Sequence, residues 1–222
     1  MFAFCVLIIL GVGVTVLTMQ VLESLTDEEL LAHFNRGNQR AFECLFMRHK
    51  RPLYNFILRS VKSQHRAEEL MQEVFLKIIQ NASGYVREAK FTTWLYTIAR
   101  NRCIDEYRRA GVRGPSTSTD QVLGDSGTTI GDQMAYEQAL SGLRFTASKQ
   151  IQKALEQAVE ALPEDQHETF MLRMVAHLSY QEIAEVTGIP ENTAKSRMRY
   201  ALSKLRDELQ KMGFSADDLK ES

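Results

Sequence analysis

Between Glu191 and Arg206 the chain sets Lys195, Arg197, Arg199, Lys204 and Arg206 among Asn192, Thr193 and Ser196. Cations at this density grip phosphates, while Asn, Thr and Ser exchange hydrogen bonds with base edges. The chemistry on offer is recognition of a polyanion rather than bond making. A second cluster crowds Phe91, Trp94 and Tyr96 beside Arg100, Asn101 and Arg102. Stacking surfaces next to cations suit single-stranded nucleic acid. On that stretch Trp94, Leu95, Ile98 and Ile104 also need a core, which makes Trp94 a packing residue. The reading therefore leans on the polar neighbours Asn101, Arg102, Asp105, Arg108 and Arg109, with arginines on phosphates and Asn101 near an exposed base.

These residues must be held by helices. Ala194, Met198, Ala201, Leu202, Leu205 and Leu209 recur at helical spacing, so one stripe faces a core and the cations face out. A solvated basic helix would share this pattern, and the preceding residues decide between the two. Ser179 and Glu182 have capping-box spacing and start a first helix. Gly188 is placed for a left-handed helix end, and Pro190 opens the next helix. With the small Ala184 between them, the segment spells a DNA-binding helix-turn-helix.

Composition bounds the rest. At 222 residues with net charge -1 the chain can bury one large or two small cores. Residues 1–111 hold 15 Lys and Arg against 11 Asp and Glu, 112–147 hold 2 against 4, and 148–222 hold 10 against 13. Within the acidic C-terminal part the excess of positive charge is confined to the second helix of the motif, unlike the spread of a nonspecific polycation. Cys5, Cys44 and Cys103 are widely separated and form no Cys-x-x-Cys pair. They indicate a reducing compartment, with Cys44 and Cys103 as small core residues. The five histidines share no ligand spacing, so no metal site and no cofactor is expected. No phosphate loop or nucleophile motif occurs, and the chain is read as no enzyme.

Met1 to Thr18 is uncharged and almost wholly apolar, as in a membrane segment or signal sequence. The first charge is Glu23, so the basic flank of a signal is missing. Translation from Met19 is the simpler reading, since Thr26 then caps an opening helix with acids in its first turn. A genuine membrane anchor is the alternative. Candidate helices run over Asp27–Asn35, Gln39–Ser60 with a bend near Pro52, Ala67–Asn81 and Phe91–Arg109. Further on they cover Lys149–Leu162 and Glu164–Ala176 before the motif, with a weak helix at Gln133–Leu140. The Gly, Ser and Thr of the stretch after Gly111 mark a linker. The expected fold is all-α: an apolar leader 1–25, a helical bundle 26–111, a flexible linker 112–147, a helix-turn-helix domain 148–212 and a tail 213–222.

Two more segments join the motif: Arg66 to Leu76 (Arg-Ala-Glu-Glu-Leu-Met-Gln-Glu-Val-Phe-Leu) and Phe91 to Asn101, followed by Asp105-Glu106-Tyr107-Arg108-Arg109. With Phe34 to Phe42 before them and Leu162-Pro163-Glu164 after, their order closely resembles an extracytoplasmic-function sigma factor of the sigma-70 family. The resemblance spans Thr26 to Lys211 apart from the linker. It implies a first domain that binds core RNA polymerase and the minus-ten element, and a second that reads the minus-thirty-five element. On the helix from Ala67, Leu70, Val74 and Ile78 turn inward, leaving Glu69, Gln72 and Glu73 as polymerase contacts. Minus-ten binding and melting then fall to Trp94, Tyr96, Arg100, Asn101, Arg102, Asp105, Arg108 and Arg109. Asn192, Thr193, Lys195, Ser196, Arg197 and Arg199 would enter the major groove, and Lys204 and Arg206 the backbone. The resemblance also implies an anti-sigma partner, a cytoplasmic location, and a membrane met only indirectly unless the leader is real. The rival reading is a helix-turn-helix regulator whose N-terminal helices sense a ligand or dimerise.

Overall fold

The computed structural model describes residues 21–85, 90–109, 111 and 149–214. Residues 1–20 of the leader, the expected linker with its weak helix at Gln133–Leu140, and the end of the tail lie outside these residues. Every extended regular element among the described residues is helical, in two groups.

The first group is α1 (Asp27–Asn35), α2 (Gln39–Val61), α3 (Gln64–Asn81) and α4 (Phe91–Arg109), with a 3-10 turn at Ala82–Gly84. Thr26 opens α1 with a capping box: its hydroxyl accepts from the Glu29 N–H, and the Glu29 carboxylate accepts from the Thr26 N–H at 2.8 Å. α2 runs unbroken through Pro52. α3 begins three residues before the sequence expectation because the Ser63 hydroxyl accepts from the Arg66 N–H. The start of α4 is held from outside, its Phe91 N–H donating to the Glu28 carboxylate of α1 at 2.8 Å. Leu45, Phe56, Leu70, Ile78, Leu95 and Tyr96 fill the core, where Phe56 and Tyr96 meet edge to face at 5.3 Å.

The second group is α5 (Lys149–Glu160), α6 (Glu164–Met174), α7 (Tyr180–Thr187) and α8 (Glu191–Lys211). α8 packs on the other three through the apolar stripe read from the sequence, all six members of which are buried. α6 ends at Met174, two residues short of the expectation. The Arg173 guanidinium donates to the Leu178 carbonyl at 3.0 Å and lies over the Tyr180 ring, bracing the turn into α7. Cys44 and Cys103 are buried free thiols.

The two groups are not separate. α4 lies against α7 and α2 touches α6, so the first helix of the helix-turn-helix sits on the arginine-bearing helix of the other group. No helix among the described residues is long and apolar enough to cross a membrane.

Candidate nucleic-acid interface

Ser179 builds the start of α7 as its spacing predicts. The Ser179 hydroxyl accepts from the Glu182 N–H, and the Glu182 carboxylate accepts from the Ser179 N–H at 2.6 Å. Burial would raise the Glu182 carboxyl, but the Ser179 bonds and the Lys90 ammonium bring it below the usual range. Gly188 ends α7 at φ 74°, and Pro190 precedes α8. A β-carbon at Gly188 would meet no neighbour, so the glycine is there for its backbone angle.

At the front of α8, Asn192 and Lys195 are exposed, and Thr193, Ser196 and Arg199 are half-buried. Lys195 pairs with Glu191 at 2.7 Å, a one-turn contact that water and phosphates can replace. Lys204 and Arg206 lie further along, half-buried, and the Arg199 guanidinium rests over the Tyr200 ring. Arg197 stands apart. It is 4% exposed, and its guanidinium donates to the Asp165 carboxylate of α6 at 3.1 Å. Here it ties the recognition helix to its own domain instead of facing a ligand.

On α4 the structure divides the expected set. Asn101, Arg108 and Arg109 are exposed and Arg102 and Asp105 half-buried. Asn101, Asp105 and Arg108 recur at i, i+4 and i+7, on one face. Trp94 and Ile98 extend that line toward the helix start. Trp94 is half-buried and faces the Tyr85 ring at 5.1 Å, in a cleft of about 450 Å³ whose lining includes Lys77, Gln80, Asn81 and Ser83. The sequence reading missed Tyr85; an aromatic next to the Gly84 turn was its signal. Two expected residues face inward: Tyr96 is 1% exposed in the core, and Arg100 is buried on Glu168 of α6. Neither reaches solvent in this arrangement.

The polar face of α3 carries Gln72, exposed, with Glu69 and Glu73 half-buried. Arg66 gathers both acids, at 2.7 and 3.7 Å, and reaches Glu106 of α4 at 2.8 Å. Hydrogen bonding to Arg66 holds the Glu69 and Glu106 carboxyls below the usual range. Arg102 lies 4.0 Å from Glu73. Leu76 and Ile79 are also exposed here, at 56% and 41%, an apolar strip on the face that periodicity assigned to polar contacts alone. Among the described residues no group of His, Cys, Asp and Glu gathers as a metal site.

A helix-turn-helix unit carrying outward cations, joined to a helical bundle with its own aromatic and arginine face, defines a DNA-binding protein of the transcription apparatus. Comparison with known proteins then gives the family. Residues 45–113 match the model of Sigma-70 region 2, and residues 152–205 that of Sigma-70, region 4. The ECF RNA polymerase sigma-E factor of Escherichia coli K12 is 28% identical over 188 residues, covering 85% of this chain and 96% of that protein. The RNA polymerase sigma-H factor of Pseudomonas aeruginosa is 30% identical over 172 residues, covering 78% and 88%. The fold resembles CnrH, solved with the cytosolic domain of CnrY, at TM-score 0.56 and 22% identity, covering 83% of this chain and 97% of that one. It also resembles the sigma factor RpoE of Bartonella quintana, solved with the anti-sigma factor NepR, at TM-score 0.53 and 20% identity over 76% and 96%. The chain belongs to the extracytoplasmic-function group of the sigma-70 family. It is an alternative sigma factor, which binds core RNA polymerase and directs it to promoters.

Proposed function

We propose a residue-level division of that work. The outer face of α3, with Gln72, Leu76 and Ile79 beside Glu69 and Glu73, docks on core polymerase. Asn101, Arg102, Asp105, Arg108 and Arg109 hold the minus-ten strand, and the cleft that the Tyr85 and Trp94 rings line takes an unpaired base stacked against them. Asn192, Thr193, Lys195, Ser196 and Arg199 enter the major groove at the minus-thirty-five element, with Lys204 and Arg206 on phosphates. Arg197, Arg100 and Tyr96 support these surfaces from within. The observation that carries the reading is the front of α8: Asn192 and Lys195 exposed beyond a left-handed Gly188 turn on a buried stripe.

The chain supplies position and polymerase supplies the chemistry, so the protein itself is no enzyme and acts in the cytoplasm. An anti-sigma protein is its restraining partner, as NepR accompanies the similar RpoE. Sigma-70 region 2 occupies the part of the chain that the regulator reading gave to ligand sensing or dimerisation. The test is transcription in vitro with sigma-free core polymerase and genomic DNA fragments, with the 5′ ends of transcripts mapped. Discrete starts below two spaced motifs are expected. Folded protein that produces no dependent starts would sink the proposal.

A further inference from the structure

Asp27, Glu28 and Glu29 follow one another in the first turn of α1, where acids ordinarily serve the helix dipole. Here each has a different partner. Glu29 closes the capping box on Thr26. The Asp27 carboxylate reaches α2, accepting from Arg48 and lying 2.7 Å from the His49 ring. The Glu28 carboxylate reaches α4, 63 residues further along the chain, and accepts from the Phe91 N–H at 2.8 Å.

The bond from Glu28 falls where α4 begins. The Trp94 N–H donates to the Lys90 carbonyl at 3.1 Å, so Phe91 carries one of the N–H groups that a helix start leaves without an internal partner. Phe91 is 0% exposed, and water does not replace an acceptor lost there. Its ring lies 5.4 Å from the His49 ring and meets Trp94 edge to face at 6.1 Å, and Trp94 in turn faces Tyr85. Glu28 therefore holds the Phe91 backbone, His49 packs on its ring, and Phe91 buttresses the tryptophan of the cleft.

We propose that Glu28 is a positioning residue for promoter melting, which fixes the start of α4 and through Phe91 the ring of Trp94. α1 lies ahead of residues 45–113, the stretch that matches Sigma-70 region 2, so the place that takes an unpaired base is completed from outside that stretch. The inference rests on the reading of the cleft that Tyr85 and Trp94 line, and adds what aims its rings. A carboxylate at this helix start also meets the positive end of the α4 dipole, but charge acts over a range of positions and the hydrogen bond at one.

Trp94 is the one tryptophan of the chain, so the intrinsic fluorescence of the full chain reports on this ring. Glu28→Ala removes the acceptor, Glu28→Asp keeps the charge but shortens the reach by one methylene, and Glu28→Gln keeps the reach without the charge. Glu28→Ala and Glu28→Asp should move Trp94 emission to longer wavelength and raise its quenching by acrylamide, while Glu28→Gln matches the wild type. In holoenzyme made with core polymerase, permanganate reactivity of unpaired thymines should fall on the order of tenfold for Glu28→Ala and Glu28→Asp. Duplex binding at the minus-thirty-five element should stay, and Glu28→Gln should melt promoters as the wild type does. If Glu28→Ala does not fold, the contrast between Glu28→Asp and Glu28→Gln carries the test. Unchanged emission and melting in Glu28→Asp, or a Glu28→Gln chain as impaired as Glu28→Asp, overturns the positioning role. Normal melting by Tyr85→Ala overturns the cleft reading instead, while the emission still tells whether Glu28 holds the ring.

Discussion

Arg197, in the middle of the basic run on the recognition helix, is buried and donates to Asp165 at 3.1 Å inside its own domain. Arg197→Ala should therefore lower the stability of the C-terminal domain by about 2 kcal/mol, because the partner carboxylate is left partly buried without its cation. Denaturant unfolding followed by circular dichroism measures this. An unchanged midpoint with lost minus-thirty-five binding would return Arg197 to the DNA contacts.

Arg199 and Lys204 should separate under substitution. Arg199→Ala changes the sequence preference at the minus-thirty-five element. Lys204→Ala weakens all promoters alike and lowers the salt slope of binding by about one. Holoenzyme binding to a panel of promoter variants at several salt concentrations reads both, and uniform effects from Arg199→Ala contradict its assignment to base edges.

The cleft at Tyr85 gives a prediction about melting. If one unpaired base stacks there, Tyr85→Ala removes about 1–3 kcal/mol of capture energy. Open-complex formation, followed by permanganate reactivity of unpaired thymines, should then fall while duplex binding at the minus-thirty-five element stays. A premelted template should rescue the variant.

Leu76, exposed beside Gln72, is the most direct probe of the polymerase face. Leu76→Glu places a charge where an apolar contact is expected, and core affinity measured by competition should drop at least tenfold. The thermal midpoint of the free chain should stay, since the side chain contributes little to its own core. Unchanged core affinity would move the docking face elsewhere.

His167 supplies the pH prediction. Burial first, then the nearby Arg59 and Lys62 charges, press its imidazole down from 6.5 to about 4. A group with a depressed folded value binds its proton preferentially in the unfolded chain. Its contribution is present above pH 6.5 and lost as pH falls toward 4. The difference in stability between wild type and His167→Gln should shift by on the order of 2 kcal/mol across that window. Glu164 and Glu168, whose carboxyls burial raises, titrate in the opposite sense, so the difference between the two proteins is the informative quantity.

Much of this was legible in the residues because it is local. The capping boxes at Thr26 and Ser179, the Gly188 helix end and the α8 stripe depend on spacings of a few residues, and the structure holds each of them. What the sequence hid was partnership at a distance. Arg197 finds Asp165 across 32 residues and Arg100 finds Glu168 across 68. An arginine on an amphipathic helix reads as a ligand contact until its carboxylate is placed. The start of α3 was missed for a smaller reason: Ser63 caps at a polar stretch with no apolar beat to announce it. Tyr96 shows the limit of residue type, since the same ring serves stacking on a base or, as here, packing on Phe56.

Cys103, on the helix that carries the minus-ten residues, is 3% exposed, and burial first of all pushes its thiol up to about 12. At neutral pH its reactive thiolate amounts to roughly one molecule in 10⁵. Peroxide or disulfide stress therefore meets a buried, weakly reactive thiol at this position while α4 stays packed. A chemical alarm of that kind passes over Cys103 unless the packing around it opens first.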